Sequence, residues 1–225
     1  MVNILCELRI CTNIQTTELF KKNLLENKTN RIKQYVVGLK KFFELNSENI
    51  NNGIIKVYIT DNTIMEDDKL DNSILDVIHP KCQIITCNNN NYGCKNKGAG
   101  DIEQWLFCKD LIKKYDYFIH FEPRQLLQSN EFIDNFLQNP RNLFTYGGFY
   151  NNKDSNSLKH FNTGLFCIKT SCLINFIEKI NLTNFNESIE YTVFNYFKIN
   201  NISFDILEKM DLFWFDAFTK RGYYM

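Results

Sequence analysis

Four short segments in the first half of the chain carry strand-like apolar patterns, and each runs into a polar loop. Val2 to Ile10 (VNILCELRI) closes on Cys11-Thr12-Asn13, and Ile54 to Thr60 (IIKVYIT) closes on Asp61-Asn62. Cys82 to Cys87 (CQIITC) and Tyr117 to Phe121 (YFIHF) complete the set. Helical spacing fills the gaps between them. Thr16 or Thr17 can cap a helix whose apolar positions are Leu19, Phe20, Leu24 and, past a polar break, Tyr35, Val36, Leu39, Phe42 and Phe43. A second helix is expected from about Asp101 to Lys114, with Ile102, Trp105, Leu106, Cys108 and Ile112 on one side.

Strands separated by helices imply βαβ crossovers and a mainly parallel sheet flanked by helices. Such sheets bind ligands beyond the carboxyl ends of their strands. The loops at 11–13, 61–62, 88–100 and 122–124 are therefore expected to meet over one cleft. The second half has a smaller β/α pattern. Phe144 to Gly148 and His160 to Lys169 read as strands, Ser171 to Ile180 and Glu187 to Lys198 as helices, and Leu212-Phe213-Trp214 as a last apolar stretch. No linker rich in Gly, Pro or Ser divides the chain. The expectation is one domain over 1–225, with a ligand-binding half at about 1–127 and a second half at about 128–225.

Composition narrows this picture. With 44% hydrophobic and 23% charged residues in 225 positions, the chain is ordinary globular protein. Lys+Arg and Asp+Glu stand at 26 each, so no overall field would hold nucleic acid, and an anionic ligand must meet a local cluster. Asn is abundant and Lys far outnumbers Arg, a bias that makes the rarer types more informative. Arg occurs only at 9, 31, 124, 141 and 221, His at 79, 120 and 160, and Pro at 80, 123 and 140. The eight cysteines form no CxxC pair and no zinc-like spacing with His. No signal segment and no 18-residue apolar run is present, so the expectation is a reduced, cytosolic protein without an integral membrane segment, at most resting on the cytosolic membrane face.

Five clusters could carry chemistry. Lys95-Asn96-Lys97-Gly98-Ala99-Gly100-Asp101 leaves a strand-end loop and enters a helix, where close backbone approach and free N–H groups favour phosphate; a plain turn with Asp101 as helix cap explains it equally well. His120-Phe121-Glu122-Pro123-Arg124 follows a strand, placing His120 and Glu122 on one face. They could share a metal or ligand there, and Arg124 offers a planar fork to a diphosphate; the plainer account is a Glu122–Arg124 salt bridge. Asn162 lies in the polar run ahead of an apolar strand. Glu190, in the first turn of a helix, is explained by the helix dipole alone, and Trp214-Phe215-Asp216 sets a carboxylate beside two aromatic rings.

In order along the chain, these segments resemble a compact nucleotide-sugar glycosyltransferase of the GT-A type, in the form found in bacteria and giant viruses. KGAGDIEQW followed by YDYFIHFEPRQLL resembles that family's helix and the strand bearing its metal-binding acidic motif. HFNTGLFCIKTSCLINFIE resembles the segment beyond it, and SIEYTVFNYF resembles a helix that supplies an acidic residue near the acceptor. The resemblance implies a Rossmann-like GT-A fold and transfer of a sugar from a nucleotide-sugar donor to a hydroxyl of a glycan or glycoconjugate. It implies donor binding by Thr12, Asp61, Lys97, Gly98, Arg124 and Asn162, with Glu190 as catalytic base and Asp216 in reserve. The family usually holds Mn²⁺ or Mg²⁺ with Asp-x-Asp, and here the positional match is His120-Phe121-Glu122. Lys97, Arg124 and a helix start could instead stabilise the leaving diphosphate without metal. Two other classes compete: a non-catalytic nucleotide- or carbohydrate-binding protein on the same fold, and a nucleotidyltransferase.

Overall fold

A computed structural model describes residues 2–13, 24–64, 68–147, 159–215 and 222–224. The chain runs β1 (Ile4–Arg9), α1 (Leu24–Asn51), β2 (Ile55–Asp61), α2 (Asn72–Leu75), β3 (Gln83–Thr86), α3 (Lys97–Phe107), α4 (Lys109–Ile112) and β4 (Tyr117–Phe121). There follow β5 (Leu126–Leu127), α5 (Glu131–Gln138), β6 (Leu143–Phe144), β7 (Leu165–Lys169) and α6 (Thr170–Lys179). After a 3₁₀ turn at Leu182–Asn184 come α7 (Ile189–Ile199), β8 (Asp205–Ile206), β9 (Leu212–Phe215) and β10 (Gly222–Tyr224).

Seven strands form one sheet in the order β3-β2-β1-β4-β7-β6-β8. The first four are parallel neighbours, β7 pairs antiparallel to both β4 and β6, and β6 pairs parallel to β8. A smaller sheet, β10-β9-β5, is antiparallel. The expected α/β architecture is thus present: a mainly parallel central sheet flanked by helices, with a smaller β/α portion. Strands from the second half of the chain join the same sheet as those from the first.

The two faces of the sheet follow from the period-two alternation of each strand. Ile4, Cys6, Leu8 and Ile10 of the first segment point with Val57, Ile59, Ile119 and Phe121 toward Leu39 and Phe42 of α1 and Phe132, Ile133 and Phe136 of α5. Leu5, Phe118, Phe166 and Ile168 face Ile102 and Trp105 of α3, together with apolar residues of α6 and α7. At about 25 cal/mol per Å² of apolar surface, these two layers supply the main favourable contribution to folding.

Several boundaries differ from the sequence expectation. Helix α3 starts at Lys97 rather than Asp101, because the Asn96 side chain accepts the Gly98 and Ala99 N–H groups at 2.9 and 3.4 Å and caps it. Gly98 and Gly100, which read as loop residues, lie inside the helix at points of close contact. A Cβ on Gly98 would sit 2.8 Å from Ile189 Cβ, and one on Gly100 would sit 2.6 Å from Asn90 Oδ1. Asp101 is therefore not the cap. The expected strand 160–169 is shorter, and α5 had no counterpart in the sequence reading. Thr16, Thr17, Leu19 and Phe20 lie outside the described residues, as do Gly148 and Asp216.

Candidate functional site

The loops leaving β1, β2, β3 and β4 are tied together at the carboxyl end of the sheet. Thr12 donates from both its backbone N–H and its hydroxyl to Asp61 Oδ2, at 2.9 and 2.7 Å. Asp61 Oδ1 accepts the N–H and hydroxyl of Thr63 at 2.8 and 2.6 Å. Asp61 is fully buried with both oxygens occupied, so its part in the site is to hold the first two loops in register. Arg9 reaches across β1 to Asn62 Oδ1 (2.7 Å), the Ile10 carbonyl (2.8 Å) and Asp101 Oδ1 (3.2 Å). Burial opposes its charge, but Asp101 and neighbouring groups outweigh that and hold the guanidinium protonated. Burial lifts the Asp101 carboxyl above its ordinary value, with Arg9 pulling the other way and Glu122 adding to the rise.

The loop after β3 is organised by a carboxylate. Glu103 Oε1 accepts the N–H of Asn91 at 2.9 Å, and Oε2 accepts those of Tyr92 and Gly93 at 3.0 and 2.9 Å. This staple, with the Asn96 cap, presents Lys97 at the head of α3.

Lys97 Nζ lies 3.2 and 3.4 Å from the two oxygens of Glu122, and Arg124 Nη2 lies 3.7 Å from Glu122 Oε2. Burial alone would raise the Glu122 carboxyl. Lys97, then Arg124 and His120, overcome it and hold the group down at about 2. The Glu122 N–H donates to the Gly164 carbonyl at 2.8 Å, and Asn162 Oδ1 accepts the Gly164 N–H at 2.8 Å. Asn162 is buried and braces the exit of β4. The Glu122–Arg124 pair foreseen as the plainer alternative is present, but as the longer of the two contacts to Glu122.

His120 points to the same sheet face as Glu122 but lies beneath the cleft. It is 1% exposed, its Nδ1–H donates to Glu7 Oε2 at 2.8 Å, and its ring stacks on Phe166 and meets Trp105 edge-on. Glu7 also accepts from Trp105 Nε1 at 2.8 Å and Thr60 Oγ1 at 2.7 Å. Burial pushes the Glu7 carboxyl up, but His120, with Arg9 and Thr60, outweighs it and the net shift is downward.

Glu190 stands at the start of α7, with the Ser188 hydroxyl donating to its Oε2. This helix start abuts that of α3. Asn96 Nδ2 donates to the Glu187 carbonyl at 3.0 Å, and Ile189 packs on Gly98. Lys97, Glu122 and Arg124 thus form one cluster, the helix start that carries Glu190 lies beside the start of α3, and Thr12, Asp61 and Asn162 are buried in the adjoining loops.

Arg9, Arg31, Tyr35, Gly38 and Asp101 were missing from the sequence-derived site. Arg31 Nη1 donates to the Cys11 carbonyl at 3.1 Å, and Tyr35 Oη accepts the Cys11 N–H at 2.9 Å. The usable signal was the scarcity of arginine: three of the five, at 9, 31 and 124, converge on this end of the sheet.

Among the described residues, no group of three or more His, Cys, Asp and Glu could hold a metal ion, and no helix is long and apolar enough to cross a membrane. All eight cysteines are free thiols. No family model and no curated protein matches the chain. Among solved structures, it is similar to a "putative nucleotide-diphospho-sugar transferase" from Desulfovibrio desulfuricans G20, with a TM-score of 0.56 and 10% identity over 92% of this chain and 80% of that one. At that identity the likeness is one of fold, a Rossmann-like α/β architecture.

Proposed function

We propose that the chain is a glycosyltransferase that moves a sugar from a nucleotide-sugar donor to a hydroxyl of a glycan or glycoconjugate. The observation that supports this best is the joined set of strand-end loops, with Lys97 and Arg124 around the single carboxylate of Glu122 and Glu190 on the neighbouring helix start. The cations suit the diphosphate of a leaving nucleotide, which must carry the electron pair of the broken bond between the anomeric carbon and phosphate oxygen.

In this reading the β1 loop at Thr12, fixed by Asp61, bounds the nucleoside side of the cleft. Gly98 is taken up by its packing on Ile189 and so shapes the head of α3 from which Lys97 projects, and Lys97 and Arg124 meet the phosphates. Asn162 holds the β4 exit in place. For an inverting transfer, Glu190 takes the proton from the acceptor hydroxyl as that oxygen attacks the anomeric carbon. Asp216, outside the described residues, stays the second candidate for that proton.

The residues at the Asp-x-Asp position do not fit Mn²⁺ or Mg²⁺ well. A divalent ion at such a site needs carboxylate oxygens free to face it, usually one or two beside the substrate phosphates. Glu122 is already matched by Lys97 and Arg124, and the His120 Nδ1 is committed to Glu7. No step of the proposed reaction is therefore routed through a metal.

The test is a thermal-shift screen of nucleoside diphosphates and nucleotide sugars, followed by turnover assays with the best donor. Ligand at 100 times its dissociation constant stabilises the native state by about 2.7 kcal/mol, which a melt resolves. A clear shift with one nucleotide, together with release of its diphosphate, is the expected result. If no nucleotide or nucleotide sugar raises the melting temperature, the proposal is wrong. If Glu190→Gln keeps full turnover, the base is a different residue.

A further inference from the structure

Helix α1 places three residues on one stripe, Arg31, Tyr35 and Gly38, at helical spacings of four and three. The first two grip the loop after β1, through the Cys11 carbonyl at 3.1 Å and the Cys11 N–H at 2.9 Å. The third touches the loop after β4. A Cβ on Gly38 would lie 1.6 Å from the Pro123 carbonyl oxygen, so only glycine lets the helix and that loop come this close. One helix therefore fixes the positions of both loops, and Arg31 and Arg124 lie close enough for their charges to act on one another.

Arg124 is short of partners. Its side chain is 7% exposed, yet among the described residues its guanidinium has no hydrogen bond, and its nearest carboxylate oxygen is the 3.7 Å contact to Glu122. That carboxylate is also bound by Lys97. Asp61, which with Glu122 acts on Arg31, has both oxygens filled by Thr12 and Thr63. Arg31 spends one N–H on the Cys11 carbonyl and likewise has no salt bridge to a described carboxylate. Burial, and after it the charge of Arg31, makes Arg124 harder to keep protonated than usual. A sheltered cationic group with unused donors is costly to hold in place unless an anion completes it.

We propose that Arg31 and Arg124 form a diphosphate clamp that does the work of the divalent cation in this site. The clamp rests on the glycosyltransferase reading for the identity of its ligand, a nucleoside diphosphate, but not for its affinity toward the diphosphate group itself. Arginine suits the role because its fork can take two phosphate oxygens at once, and two forks can span both phosphates.

Isothermal titration calorimetry with pyrophosphate, and separately with ADP, CDP, GDP, UDP and dTDP, tests this in EDTA and again with MnCl₂. The wild type is expected to bind pyrophosphate and one nucleoside diphosphate in EDTA, with little gain from Mn²⁺. Arg31→Gln and Arg124→Gln are each expected to weaken binding roughly tenfold or more, as loss of a charge-assisted contact does. Arg31→Lys, which keeps the charge and can still reach the Cys11 carbonyl, should fall between Arg31→Gln and wild type. Lys56→Gln, an exposed control at the start of β2, should bind like wild type. Melting curves for each variant separate lost binding from lost fold.

Binding that appears only with Mn²⁺, or Arg31→Gln binding as tightly as wild type, would overturn the clamp. Pyrophosphate binding in EDTA that depends on both arginines, with no nucleoside diphosphate bound, would sustain the clamp and sink the glycosyltransferase reading. Wild type that binds neither pyrophosphate nor any nucleoside diphosphate would overturn both.

Discussion

The two faces of the central sheet are built from the same strands but to different rules. On the α1 face, β1 and the residue after it contribute Cys6, Leu8 and Ile10, and the layer between sheet and helix is mainly apolar, with Asn46 of α1 bonded back to its own helix at the Phe42 carbonyl. On the α3 face the same strand contributes Glu7 and Arg9, which join Thr60, His120 and Asp101 in a buried polar network beneath the cleft. The apolar face carries stability, and the polar face sets positions. A hydrophobic layer tolerates substitution that keeps volume, whereas a polar network holds its shape only while each donor keeps its acceptor. At the rim, Lys97 and Glu122 stand on the face whose interior is the more geometrically exacting, whereas Arg124 lies near Arg31 and Tyr35 of α1.

Truncation on each face breaks this contrast most directly. Phe42→Ala removes a fully buried ring stacked on Phe121, and should cost about 3–5 kcal/mol by chemical denaturation. Its effect on nucleotide affinity should be small in the fraction that stays folded. Glu7→Ala leaves His120, Trp105 and Thr60 without their shared acceptor and should cost about 3 kcal/mol. Because His120 lies under the rim, this variant should also weaken nucleotide binding, which Phe42→Ala should not. Equal binding losses in the two variants would abolish the distinction between the faces.

Acid sharpens the contrast. Glu122 falls from an ordinary value of 4.5 to about 2 in the folded protein, so its ionised form favours folding. That contribution is complete above the ordinary value and is lost as pH falls through about 2. Glu7 shifts in the same direction. Melting temperature should therefore drop between these limits, and Glu122→Gln should flatten the drop, as differential scanning calorimetry across a pH series can show. Asp101 works the other way. Its raised value means that acid relieves a strain there, so Asp101→Asn should steepen the loss.

Gly38→Ala tests the helix–loop contact itself. Its Cβ would lie 1.6 Å from the Pro123 carbonyl oxygen, a backbone atom that cannot rotate away, so helix or loop must shift and the melting temperature should fall despite the better helix propensity of alanine. The displaced loop should also show in the folded fraction as weaker pyrophosphate affinity. Unchanged affinity would mean that α1 does not set the position of Arg124.

Much of this layout was legible in the sequence. Strands β1 to β4 fall within two residues of their expected ends because runs such as IIKVYIT and YFIHF have one reading in a crossover fold. Lys97 is legible as part of a Gly-containing loop entering a helix, Glu122 by its place at a strand end on the face of His120, and Arg124 as a rare arginine beside them. What escaped depended on contacts remote in sequence. The early start of α3 was hidden by Gly98 and Gly100, whose poor helix propensity is overridden by their need to meet Ile189 and Asn90. Arg31 was visible as a rare arginine, but only the docking of α1 against two loops places it at the cleft. His120 pairs with Glu7, a residue 113 positions away that local spacing could not reveal.

The Glu103 staple has a consequence for how an incoming anion finds its place. Three successive backbone N–H groups, at Asn91, Tyr92 and Gly93, converge as such groups do in phosphate-binding nests. The chain fills this nest with its own carboxylate, so a phosphate arriving nearby finds the cradle closed and no decoy to hold it. The arginines are left as the open berth.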